Sequence, residues 1–64
     1  MIRIVFYDDN DIPRVWAEGV TAIEAAEKGR QVLKDYRREK PDVQGFRFKM
    51  FNNGKPMGQS DVRV

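Results

Sequence analysis

A small α+β domain of ββαββ order is what the sequence predicts: one antiparallel sheet of four strands with a single helix packed on one face. Three observations lead there. In residues 2–7 and 46–51 a bulky apolar residue recurs at every second position (Ile2, Ile4, Phe6; Phe46, Phe48, Met50), the two-residue period of strands with one buried face. Thr21-Ala22-Ile23-Glu24 opens an 18-residue stretch of helical periodicity that Pro41 closes. Asp8-Asp9-Asn10-Asp11 and Asn53-Gly54 punctuate the two strand pairs as turns.

In the first hairpin, Ile2, Ile4 and Phe6 form one face and Arg3, Val5 and Tyr7 the other. With residues 8–11 as the loop, Tyr7 is expected opposite Ile12, Val5 opposite Arg14 and Arg3 opposite Trp16. Ile2, Ile4 and Phe6 then meet Ala17, Val15 and Pro13, so every side chain keeps a consistent face.

The helix is expected from about Ala22 to about Glu39. Thr21 accepts from an orphan amide and Glu24 reaches back, a capping box. Ala22, Ala25, Ala26, Gly29, Val32, Leu33 and Tyr36 make the inward stripe. Glu24 and Lys28, four residues apart on the wet side, form a favourable pair. Lys34, Arg37, Arg38 and Lys40 gather at the helix C-terminus, where cations complement the dipole. Gly29 costs about 1 kcal/mol relative to alanine inside a helix. Its place in the stripe predicts close approach of the helix backbone to a bulky ring, with Phe46 or Phe48 as the candidates.

In the second hairpin a two-residue turn at Asn53-Gly54 sets Met57 against Met50 but Gln59 against Phe48. A bulge at Gly58 or Gln59 repairs this, pairing Phe46 with Val62 and Arg47 with Asp61.

Composition narrows the chemistry. The 64 residues form one domain, 1–64, which buries only about 60 % of the surface its unfolded chain exposes. With no cysteine and no histidine, disulfides, thiolate catalysis, Cys/His zinc sites and histidine general bases are absent together. There is no Ser/His/Asp group and no Gly-rich phosphate loop, so the expectation is a non-enzyme without metal or cofactor. The acidic run 8–11 lacks the central glycine and terminal glutamate of a Ca²⁺ loop and reads as a turn. No targeting or membrane-spanning segment is visible, which makes a cytoplasmic, non-membrane protein the expectation. The net charge of +2 is lopsided: residues 1–27 carry −4 and residues 28–64 carry +6. Such a field orients a charged partner, and it also serves plain solubility.

If the helix covers one sheet face, the other carries Arg3, Val5, Tyr7, Ile12, Arg14, Trp16 and Glu18, then Arg47, Lys49, Phe51, Asp61 and Arg63. Cations attract phosphates and rings stack on unpaired bases, a combination that holds single-stranded nucleic acid on sheets. The expected ligand-binding residues are therefore Arg3, Tyr7, Arg14, Trp16, Arg47 and Lys49. Against this stand internal uses of the same groups: a cation–π pair between Arg3 and Trp16, and an ion pair between Arg47 and Asp61. The rings and Ile12 equally suit a protein partner or a homodimer packing through the same face. The two readings weigh nearly the same, and the arginines tilt the balance to nucleic acid.

The junction Gly19-Val20-Thr21-Ala22-Ile23-Glu24-Ala25, following a hairpin, resembles the strand-to-helix junction of HicB-type antitoxin domains. The likeness is confined to those seven residues and much of it is the capping box. Residues 43–64 do not continue it, and it assigns no functional residue.

Overall fold

The computed structural model describes residues 1–57. Alternating apolar residues draw the chain into strands β1 (Ile2–Tyr7), β2 (Pro13–Gly19) and β3 (Arg47–Asn52), the turn after β3 returns the short β4 (Lys55–Pro56), and helix α1 (Ala22–Glu39) lies between the hairpins. All pairs are antiparallel, and the order is β2-β1-β3-β4, so the two hairpins join through their first strands. The expected fold is present: one four-stranded antiparallel sheet and one helix.

The helix begins and ends where the local chemistry dictates. Thr21 is the N-cap, its hydroxyl accepting from the Glu24 amide at 3.1 Å. The Glu24 carboxylate reaches past Thr21 and accepts from the Val20 amide at 2.7 Å. At the other end the Lys40 amide donates to the Tyr36 carbonyl, and Pro41 prevents continuation. Of the inward stripe, Ala25, Gly29 and Leu33 are buried and the other four are half-buried.

Ile2, Ile4, Phe6, Ala17, Ala25, Leu33 and Phe46 form the core. Phe46, just before β3, is fully buried, edge-on to Tyr36 with centroids 5.9 Å apart. The helix lies chiefly over β2 and β1. The inward residues of β3, Phe48 and Met50, are consequently only half-buried.

Gly29 does touch a ring, but neither expected one. A Cβ there would stand 2.6 Å from Ile4 Cγ2 and 3.0 Å from Phe6 Cε2. The cause is strand order, because β1 is central and runs beneath the helix while β3 is displaced to the side.

The first hairpin departs from the expected register. The pairs are Ile2↔Gly19, Arg3↔Glu18, Ile4↔Ala17, Val5↔Trp16 and Phe6↔Val15, then Tyr7↔Pro13 after a shift. Most of the ladder is thus offset by two residues, and Arg14 is the extra residue of a bulge. Asp8 is responsible. Its backbone amide donates to the Ile12 carbonyl, while its carboxylate Oδ1 accepts from the Asn10 and Ile12 amides at 2.8 and 3.0 Å. These bonds close a compact loop ahead of β2. A slip of two leaves the faces of β1 and β2 unchanged, so alternation cannot detect it.

Asn53 (φ 52°) and Gly54 (φ 85°) form the tight turn of the second hairpin, both in the left-handed region. The Met57 amide donates to the Met50 carbonyl at 2.9 Å, which sets those residues opposite each other as expected. The expected bulge at Gly58 or Gln59, and the pairs Phe46–Val62 and Arg47–Asp61, lie outside the described residues. Among the described residues no helix is long and apolar enough to cross a membrane.

Candidate functional site: the open sheet face

Side chains opposite the helix stand in three rows set by the register. Glu18, Arg3 and Phe51 make the first, Trp16, Val5 and Lys49 the second, and Pro13, Tyr7 and Arg47 the third. Five of the six expected residues, Arg3, Tyr7, Trp16, Arg47 and Lys49, therefore share this face. Trp16 is 55 % exposed on edge strand β2, beside half-buried Val5. A concavity of about 540 Å³ runs along the face, lined among others by Arg3, Val5, Tyr7, Glu18 and Phe51.

Arg14 is not part of it. As the bulge residue it leaves the alternation, and its Nε donates to Asp8 Oδ2 at 2.7 Å, with Tyr36 of the helix also within reach. The Asp8 carboxyl is buried and titrates below its usual range, chiefly because the Ile12 amide bonds it, with Arg14 and Asn10 adding to the effect against desolvation. The hydrogen bond to Asp8 in turn raises the Arg14 guanidinium. This pair ties the loop to the sheet, a role the bare sequence does not assign to Arg14. Ile12 likewise leaves the expected position opposite Tyr7 and sits exposed in the loop.

The cations remaining on the face have internal partners. Arg3 donates through Nε and a terminal nitrogen to Glu18 Oε2, at 3.2 and 3.1 Å, and its guanidinium carbon lies 4.6 Å from the Trp16 ring centroid. The Arg3–Trp16 contact expected from the sequence thus exists, though diagonally across the strands. Lys49 Nζ stands 5.2 Å from the Tyr7 centroid. Arg47 forms an ion pair with Asp11 of the first loop. That acid is invisible as a partner in the sequence, because the β1–β3 pairing is what brings it close. Asp61 and Arg63, also expected on this face, are outside the described residues.

Among the described residues no group of acidic side chains is placed to hold a metal ion. The chain matches no protein-family model, no curated protein and no solved structure.

Proposed function

We propose that this domain is a non-catalytic binding module that holds another polypeptide on its open sheet face, the simplest occupant being a second copy packed sheet to sheet. The observation that carries this reading is Trp16, more than half exposed beside Val5 while both arginines of the face, Arg3 and Arg47, are tied to the domain's own carboxylates. Mixed charge around an apolar centre is complementary to itself across a two-fold axis, as an isologous interface requires. Covering the face also offsets the small core of a chain with no disulfide. A stable interface takes about 800 Å² from each partner, roughly a sixth of the 4556 Å² surface here.

Sedimentation equilibrium from micromolar to millimolar protein tests it. The expected result is a concentration-dependent dimer that Trp16→Glu abolishes while the circular dichroism spectrum is unchanged. A strict monomer throughout, with Trp16 emission that of a wetted indole, removes the homodimer.

Single-stranded nucleic acid is the second reading. It is favoured by one arrangement: two rings of the face have a cation beside them, Arg3 at exposed Trp16 and Lys49 at half-buried Tyr7. Glu18 and Asp11 oppose it, since phosphates would have to displace both carboxylates. Titration with short oligonucleotides separates the two. Affinity falling steeply with salt, with amide shifts on both hairpins, supports nucleic acid; silence at low salt excludes it.

A further inference from the structure

On the helix side of the sheet the off-centre seat of α1 leaves a groove of about 460 Å³ between α1 and β3. Ile4, Phe6, Phe48 and Met50 floor it, and Ala26 and Leu33 form its helical wall. Its rim is cationic: Arg30, Lys34 and Arg37 line it from positions i, i+4 and i+7 of one helix stripe. Among the described residues no acidic side chain lines it.

We propose that this groove docks a short acidic segment of a partner protein, whose apolar side chains fill the floor while its carboxylates pair with Arg30 and Lys34. Charge complementarity selects the occupant. Like charges at three- and four-residue spacing repel one another along a helix. The ion pairs of α1 are Glu24–Lys28 and Asp35–Arg38, and no carboxylate of the described residues answers the charge of Arg30 or Lys34. Arg37 lies over the Phe46 ring, 5.2 Å from its centroid, and extends the cationic edge toward the helix C-terminus. The floor, rather than the rim, distinguishes a peptide from a nucleic acid: phosphates would satisfy the cations but leave Phe48 and Met50 half-wet. An apolar groove bordered by charge is how amphipathic segments are recognised, and Met50 is a side chain that adapts to varied anchors. The site is on the opposite side of the sheet from Trp16 and stands whether or not the open face is occupied.

The test follows the methyl signals of Met50, Leu33 and Ile4 in the full chain by NMR. The probes are a synthetic amphipathic peptide of about 12 residues, some three helical turns, built from leucine and glutamate, and its lysine counterpart. The glutamate peptide is expected to shift those methyls and the lysine peptide to leave them in place. The variant Arg30→Glu with Lys34→Glu, both exposed positions, should weaken the glutamate peptide by about tenfold or more, from the loss of two charge pairs. No methyl shift, or equal response to both peptides, overturns the proposal. So do nuclear Overhauser contacts from Phe48 or Met50 to chain beyond Met57 in the free protein, or methyl shifts produced by protein concentration alone, since either fills the groove from this chain itself.

Discussion

Replacing Gly29 by alanine sets two effects of known sign against each other. An alanine in a helix interior is favoured over glycine by about 1 kcal/mol. Here the added Cβ meets Ile4 Cγ2 at 2.6 Å, closer than real Cβ contacts come, and Phe6 Cε2 at 3.0 Å. Neither neighbour yields easily. Ile4 is branched at its own Cβ, 3 % exposed in a central strand, and the Phe6 ring, also 3 % exposed, is tilted against Phe48 with centroids 6.2 Å apart. Forcing an extra carbon into such a core costs about 1–3 kcal/mol. The overpacking therefore wins by about 1 kcal/mol, and in a domain of this size that lowers Tm by about 4–8 °C. Thermal unfolding followed by circular dichroism reads the shift, with urea unfolding as a check on ΔG. A Gly29→Ala protein that melts higher than the parent would refute the close approach of α1 to β1, and with it the reason a glycine stands mid-helix.

Other perturbations probe other links. Phe46→Ala empties the one fully buried large side chain among the described residues and should cost about 3–5 kcal/mol. That is enough to unfold much of so small a domain at 25 °C, as its urea baseline would show. Gly54→Ala meets nothing within 4 Å, so its cost is purely the left-handed φ of 85°, about 1 kcal/mol; an unchanged urea midpoint contradicts the turn described here. Asp8 makes stability pH-dependent. Its folded-state proton affinity is lowered, so the stability it contributes is fully present above the ordinary carboxylate range and is lost as pH falls through the lower folded value. Asp8→Asn should flatten that acid limb of the urea midpoint and loosen the 8–12 loop; an acid limb identical to the parent's would assign the effect to other carboxylates.

Local chemistry made several features legible from the residues alone. Thr21 and Glu24 marked the helix start, Pro41 its end, and Asn53-Gly54 the second turn, because each acts on backbone atoms a few positions away. Alternation likewise placed Arg3, Tyr7, Trp16, Arg47 and Lys49 on one face, since a strand sends alternate side chains to opposite sides whatever it pairs with. What alternation cannot encode is distance along the ladder. The two-residue slip of the first hairpin and the bulge that withdrew Arg14 were decided by Asp8, whose carboxylate gathers amides and a guanidinium only once the loop has closed.

The amino-acid order by itself determined which stretches become strand, helix and turn in this protein, and, Ile12 and Arg14 apart, which described side chains share a face. Only tertiary structure decided that β1 is central, that Gly29 therefore rests on Ile4 and Phe6, that Asp11 meets Arg47, and that the helix leaves Phe48 and Met50 partly bare. The physical reason is range. Capping and turn formation are settled within one turn of chain, whereas strand order and helix placement are set by how distant apolar surfaces are jointly removed from water, a non-directional force that names no partner until all are assembled.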